Sequence, residues 1–454
     1  MKKIELPPKA ESKGIIDGIS NIFDGLGLFM QAKGFNDKNN EDNSLPQLLS
    51  CVDKCNKDYL YWDKVKYQET PENTTNESLW LTLKSFRTLN SQIITFGQYN
   101  FRYYVTKHFQ KILHQFDLEI GQLGGQNLLP EQDKTQYLTS SIMEEAIASS
   151  QIEGAVTTRR VAKEFLRQNK IPRDSSQQMI LNNYRSIKYL SEIKTKDMTP
   201  ELLCEIQGMI TEKTLEKAIF SGKFRDSNDI DIIDSIDGEI VFTPPKAEEI
   251  SQLVIELCNF FNNDDTDNFI HPIIKASILH FMVAYIHPFV DGNGRTARTI
   301  FYWYLLKKGY WLVEYLSISR VIAQSKNKYY KAFVYTETDD NDLSYFIHYQ
   351  LVSLKKSLEE LQFYVKKKTK EKLQVINFQK LNNINDRQAM VIQELHKNQD
   401  WVFNIKEIEN RCGVSNQTAR NDISGLLTLG YIELLKVNAK EQKYYKSDRF
   451  DTLI

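Results

Sequence analysis

The chain has 454 residues, 41% of them hydrophobic and 26% charged, close to ordinary globular usage, which excludes wholesale disorder. Lys plus Arg number 58 against 59 Asp plus Glu, a net charge of −1, so the whole molecule lacks the field of a protein that coats nucleic acid or an anionic membrane. At about 150 residues per domain, the length suggests roughly three domains. Five cysteines (Cys51, Cys55, Cys204, Cys258 and Cys412) are an odd and sparse set, which argues against a disulfide framework and for a reducing, cytoplasmic setting. Cys51 and Cys55 stand one helical turn apart without a second pair at zinc-finger spacing, and read as two half-buried thiols.

In chain order, residues 1–45 form a polar tail ending in KGFNDKNNEDNS, which cannot bury enough to fold alone. The opening MKKIELPPKAESKG lacks the apolar stretch of a secretory signal. Residues 46–160 read as an N-terminal helical region, because aromatics and leucines recur at helical spacing in LWLTLKSFRTLNSQIITF and YYVTKHFQKILHQF. A Gly-rich break, Gly121–Gln126, precedes TSSIMEEAIASSQIEG, expected as a helix over about 140–154. Its expected ends are a capping box of Ser141 with Glu144 and a left-handed turn at Gly154.

Residues 161–365 alternate helical patterns with one change of period. In NDIDIIDSIDGEIVF, Ile230 and Ile232 alternate with aspartates, Asp237-Gly238 signals a turn, and Ile240 and Phe242 continue the alternation. This is a β-hairpin among helices. Phe269 to Val290 is the longest apolar stretch, but Lys275, two prolines and three histidines break it, so a buried helix is expected rather than a membrane span. Residues 366–384 read as a linker, the run KKKTKEK as a solvated linker helix, and 385–454 as a separate unit. In that unit, two helices about Gly413 and a strand pair after Gly430 read as a winged helix-turn-helix.

One stretch carries chemistry: His287-Pro288-Phe289-Val290-Asp291-Gly292-Asn293-Gly294-Arg295-Thr296-Ala297-Arg298. The apolar helix must end near His287, because Pro288 disfavours the α conformation in its predecessor. Gly292 and Gly294 allow positive φ, so the backbone can curl and turn N–H groups to one side of the next helix N-terminus. That is a favourable place for phosphate. Arg295 and Arg298, three apart, fall on one face of the first turn, and two cations at the positive end of a helix dipole call for an anion. Asp291 is a single hard oxygen ligand, suited to Mg²⁺ held jointly with phosphate oxygens. His287 titrates near neutrality and can take a proton from an attacking hydroxyl. Base, metal ligand and phosphate cradle within twelve residues imply nucleotidyl or phosphoryl transfer.

The string resembles the H-P-F-x-[DE]-G-N-G-R-x-x-R signature of the Fic family, with every defining position filled. The resemblance implies a mostly α fold: a Fic-type helical core with a β-hairpin flap, an N-terminal helical domain, and the C-terminal winged helix-turn-helix. It implies transfer of AMP from ATP to a Ser, Thr or Tyr hydroxyl of a target protein or of the chain itself, with His287 as base and Asp291 holding Mg²⁺. Asn293 and the amides of Gly292 and Gly294 would hold the α-phosphate, Arg295 the β-phosphate and Arg298 the γ-phosphate, with Phe289 anchoring the loop. Gly222–Arg225 with the hairpin, including Ile230, Asp231, Ile232 and Ile233, resembles the family's flap, which pins an extended target segment by strand addition. Tyr329-Tyr330 resembles a tyrosine pair near the nucleoside, whereas the asparagine often found soon after that pair has no clear counterpart in VYTETDDND.

Ser149 to Gly154 matches the family's inhibitory pattern [ST]-x-x-x-E-[GN]. Glu153 can pair bidentately with Arg298 and displace the γ-phosphate; it can equally orient a water that removes AMP, making a bifunctional enzyme, or merely cap its helix. The C-terminal unit keeps a different class open, a nucleotide-sensing DNA-binding transcriptional regulator. Asn416, Gln417 and Arg420 could reach base edges and Lys436, Lys440, Lys443 and Lys446 could form a basic wing. Against it, residues 385–454 carry ten Lys or Arg and ten Asp or Glu, and Arg420 is set against Asp422. Protein docking or a homodimer is the other use of that unit.

Overall fold

The computed structural model describes residues 4–8, 44–72, 74–120, 134–233, 238–264, 268–379, 381, 383–398, 400–436 and 442–453. Most of the expected tail, the Gly-rich break and Asp237 lie outside the described residues. The described tail residues are not loose: the Glu5 carboxylate accepts from Trp62 Nε1 (3.3 Å) and pairs with Lys66.

The protein is mostly helical and divides into two units, Met1–Leu361 and Gln362–Ile454. The first begins with α1 (Ser44–Lys57), α2 (Trp62–Val65), α3 (Asn76–Leu89), strands β1 (Gln92–Phe96) and β2 (Tyr99–Tyr103), and α4 (Lys107–Glu119). The antiparallel β1–β2 pair corrects the helical reading of this region. Gln92 to Tyr103 carries β-branched and aromatic residues on either side of Gly97, whose φ of 55° supplies a tight turn. Next come α5 (Lys134–Ile152), α6 (Arg159–Arg167), α7 (Ser175–Ile193) and α8 (Pro200–Thr211). Helix α5 starts earlier than expected, so Ser141 and Glu144 are not a capping box. Ser141 Oγ instead donates to the Tyr315 carbonyl (2.7 Å), and Glu144 bonds Arg159 and pairs with Lys163.

The short strands β3 (Ile232–Ile233) and β4 (Ile240–Phe242) pair antiparallel as expected, with a register irregularity between Ile232 and Ile233. Helices α9 (Ala247–Asn262), α10 (Pro272–Ile286), α11 (Asn293–Lys307), α12 (Ile318–Gln324), α13 (Lys326–Thr338) and α14 (Ser344–Gln379) complete the unit. Pro272 at the first helical position and the His271 ring accepting from Ile273 N start α10. Every residue of α10 from Ile273 to Ile286 except Ala284 is buried, as its apolar run predicts. It packs along α11, while α5 packs against α7 and α12. No helix among the described residues is long and apolar enough to cross a membrane, and all five cysteines are free, Cys55 being buried outright at 1% exposure rather than half-buried.

Helix α14 runs through the unit boundary and through the expected linker start. Beyond it lie α15 (Asp386–Lys397), α16 (Ile405–Cys412), α17 (Asn416–Thr428), the antiparallel strands β5 (Ile432–Lys436) and β6 (Gln442–Lys446), and α18 (Phe450–Leu453). Gly413, at φ 63°, ends α16, and Ser415 caps α17 by accepting from Thr418 N. Phe403 bridges to Tyr444 beside the strand pair. Ile392, Leu395, Phe403, Ile408, Ile423, Leu426 and Phe450 close a core of this unit's own. Asp422 turns inward to Arg387 (2.6 and 3.0 Å) and Asn385 rather than toward Arg420, which bonds Asn416 at 2.8 Å.

Candidate active site

The functional loop joins α10 to α11 and is held from both sides. His287 has φ 50° and ψ 56°, a left-handed conformation that ends α10 and is uncommon for a non-glycine residue. Its ring Nδ1 lies 3.2 Å from the Ala284 carbonyl. A carbonyl can only accept, so Nδ1 carries the proton and Nε2 keeps the lone pair a base requires. Burial holds the imidazole below its ordinary pKa; the Ala284 carbonyl opposes this and the Arg225 cation adds to it.

Arg225 itself is buried, its Nε donating to the His287 carbonyl (2.8 Å), while Arg225 N donates to the Pro288 carbonyl (2.9 Å). Gln207 Nε2 donates to the Asp291 carbonyl (3.0 Å) and its Oε1 accepts from Gly222 N (2.6 Å). The side chain of Asn293 closes the loop on itself, accepting from Phe289 N (3.0 Å) and donating to Phe289 O (2.8 Å). Both its polar ends are therefore occupied and it shapes the loop, while the Gly292 amide donates to Asp291 Oδ1. Phe289 is fully buried, as an anchor should be.

The two glycines serve different ends. Gly292 has φ 85°, and a Cβ there would lie 2.8 Å from Thr211 Cγ2, so both conformation and space require glycine. Gly294 is not at positive φ, contrary to the expectation; it is an ordinary residue of the first turn of α11. Its missing side chain matters for another reason, since a Cβ would lie 2.5 Å from Glu153 Oε1.

Arg295 is 1% exposed, with Nη1 on the Ile210 carbonyl (3.1 Å) and Nη2 3.2 Å from Asp291 Oδ2. Arg298 reaches Ser149 twice, through Nε to Oγ (2.9 Å) and Nη2 to the carbonyl (3.1 Å). Arg295 Nε and Arg298 Nη1 are buried with no hydrogen-bond partner among the described residues. Buried donors left open at a helix N-terminus fit an incoming anion. Asp291 is half exposed at the mouth of this cradle. No cluster of three potential metal ligands occurs among the described residues.

Helix α5 delivers Glu153 to the same place. Its Oε1 lies 2.7 Å from Arg298 Nη2, a single bond rather than the expected bidentate pair; Ser149 occupies Nε and shares Nη2, and Nη1 stays open. Burial by itself would raise the Glu153 carboxyl, but Arg298 and Arg295 hold it below the ordinary carboxylate range. Gly154, at φ 97°, turns the chain away after the carboxylate. Lys326 Nζ donates to the carbonyls of Gln151 (2.9 Å) and Ile152 (3.1 Å), closing the helix end.

A cleft of about 360 Å³ is lined by Glu153, His287, Gly294 and Arg298, by Ile232, Ile233, Val241 and Phe242 of the hairpin, and by Tyr329 and Tyr330 of α13. Ile230 and Asp231 do not line it, and Asp231 Oδ1 instead accepts from Thr243 Oγ1 (2.7 Å). Tyr329 is buried against His280, 2.9 Å from Nε2, whereas Tyr330 is 38% exposed. The positioning roles of Arg225, Gln207 and Lys326 escaped the sequence, where only the GKFR string hinted at the first.

Residues 197–305 match the model of the Fic/DOC family, so the chain carries a Fic domain. Curated relatives named protein adenylyltransferase Fic are 34% identical over 67 residues in Drosophila grimshawi (15% of this chain, 14% of that protein) and 32% identical over 87 residues in Drosophila yakuba (19% and 16%). Protein adenylyltransferase fic-1 of Caenorhabditis elegans is 35% identical over 69 residues, 15% of this chain and 13% of that protein. The matches thus span about one seventh of these relatives' lengths. The solved structure of Fic-1 (aa134–508) from C. elegans is similar at a TM-score of 0.51 and 15% identity, over 79% of this chain and 97% of that one. That similarity establishes a Fic fold.

Proposed function

We propose that the protein is an adenylyltransferase that moves AMP from ATP to a Ser, Thr or Tyr hydroxyl of a target protein or of itself, and that Glu153 restrains it. The observation that carries the reading is the meeting, in one cleft, of a lone-pair imidazole nitrogen, open cationic donors at a helix N-terminus and a hairpin wall. His287 Nε2 takes the proton of the incoming hydroxyl, and the amides at the start of α11 with Arg295 orient the phosphates. Asp291 would hold Mg²⁺ together with phosphate oxygens, and the ion would supply charge neutralisation at the departing pyrophosphate. Arg298 receives the γ-phosphate once Glu153 releases it. With the pair in place, a displaced α-phosphate loses in-line geometry, and misplacement of about 1 Å can cost roughly 10²-fold. The β3–β4 hairpin presents Ile232 and Ile233 at the cleft, where an extended target segment can add as a strand.

ATP labelled on the α-phosphate should leave its label on protein, whereas γ-labelled ATP should not. Protein label from the γ position alone would make this a phosphoryl transferase instead. Within the same proposal, residues 385–454 form a winged helix serving protein docking or dimerisation. Balanced charge and the bonds that tie Arg420 to Asn416 and Asn416 to Glu409 favour that over base reading.

A further inference from the structure

Helix α5 ends at Ile152 and Glu153 follows it directly, so whatever fixes that end also fixes the carboxylate. The last carbonyls of a helix have no partners within it and need them from elsewhere. Ser150 O accepts from Glu153 N (3.1 Å) and Ala155 N (3.0 Å), which closes the turn around Gly154. The next two carbonyls, of Gln151 and Ile152, both accept from Lys326 Nζ, at 2.9 and 3.1 Å. Two other side chains hold the same turn: Asn183 Nδ2 donates to Ser150 Oγ (2.8 Å), and Arg298 donates to Ser149 and to Glu153. On the reading above, Arg298 turns to the γ-phosphate in the productive state, so its hold on the helix end lapses there. Asn183 grips a side chain, whereas Lys326 grips the main chain of the two residues before Glu153.

Lys326 is poorly placed for its own helix. It opens α13, whose first turn holds no acidic residue, and a cation at a helix N-terminus opposes the dipole there. At α5 the sign is reversed, because the same ammonium meets the negative end of a 19-residue helix. Lys326 does not line the cleft in which Glu153 and Arg298 meet, so any effect it has on them passes through α5. We propose that Lys326 is the positioning residue of the restraint: by holding the Gln151 and Ile152 carbonyls it fixes the last turn of α5 and keeps the Glu153 carboxylate on Arg298. Without the ammonium that turn frays, and Glu153 yields Arg298 to the γ-phosphate. The inference rests on the restraint by Glu153 proposed above and adds the residue that sets its strength.

Two measurements on the full chain test it. Lys326→Met nearly keeps the length of the side chain without donor or charge, and Lys326→Arg keeps both. Hydrogen exchange of the amides at 153–155 should speed up about threefold or more in Lys326→Met and stay near wild type in Lys326→Arg. The initial rate of protein labelling from α-labelled ATP should likewise rise about threefold or more in Lys326→Met, while Lys326→Arg stays within about twofold of wild type. Added to Glu153→Gly, Lys326→Met should bring no further gain, because no carboxylate is left to position. Unchanged exchange in Lys326→Met would overturn the inference. So would an unchanged or lower labelling rate while Glu153→Gly gains, or the same fold-change in both backgrounds, which is also what damage to the fold produces. No gain in Glu153→Gly itself would remove the restraint, and the role of Lys326 with it.

Discussion

His287 sits in a left-handed conformation that a non-glycine residue adopts at a cost of about 1–3 kcal/mol, and this local strain places its base nitrogen at the cleft. Because the ring donates through Nδ1 to Ala284, its orientation and tautomer are set before any substrate arrives. In the proposed role as base the neutral form is the competent one, and burial lowers the pKa, so the base would stay competent to a lower pH than a free imidazole. The acidic limb of kcat/KM should therefore fall below about pH 6.5; a limb centred above that value would contradict the geometry. His287→Ala should abolish transfer while ATP affinity, measured by direct titration, stays nearly unchanged. Transfer within about threefold of wild type would remove His287 from the role of base.

At the scale of elements, the loop between α10 and α11 takes its shape from a segment more than sixty residues earlier. Arg225 ties the carbonyls of His287, Ser227 and Pro245 together. Arg225→Ala should leave buried acceptors unpaired and cost on the order of 2 kcal/mol in urea unfolding. Transfer should fall more than about tenfold, with ATP affinity little changed, because the base and not the phosphate cradle loses its support. Equal losses in both would instead mean a general collapse of the site. The proline and glycines of the loop made its local chain path readable, since Pro288 and Gly292 act on their own neighbours. Gly294 was misread because its constraint comes from Glu153, 141 residues away in the chain. The start of α5 was misread because a serine before an apolar run looks like a cap, yet Ser141 finds its partner at Tyr315. The β1–β2 pair was hidden because its aromatics also satisfy a helical period, and Gly97 alone announced the turn. Gln207, Arg225 and Lys326 act through long-range hydrogen bonds to backbone carbonyls, which no sequence spacing reports.

At the scale of the whole molecule, every residue of the cleft belongs to the unit ending at Leu361, while Gln362 onward has a core of its own. A chain ending at Leu361 should bind ATP as the full chain does, and loss of that binding would tie the nucleotide site to the C-terminal unit. An isolated 385–454 fragment should show no salt-dependent shift with duplex DNA; a clear shift would favour the regulator instead. On the proposed function, the activity of the intact chain is set by whether Arg298 serves Glu153 or the γ-phosphate. The contact at stake is charge-assisted, typically worth about 1.5–3 kcal/mol, or roughly tenfold or more in rate. The most direct measurement is therefore the initial rate of protein labelling from α-labelled ATP by the wild-type chain, Glu153→Gly, and Glu153→Gly with Arg298→Ala. The account predicts a gain of about tenfold or more for the single variant and no gain for the pair; an unchanged or lower rate for Glu153→Gly would contradict it.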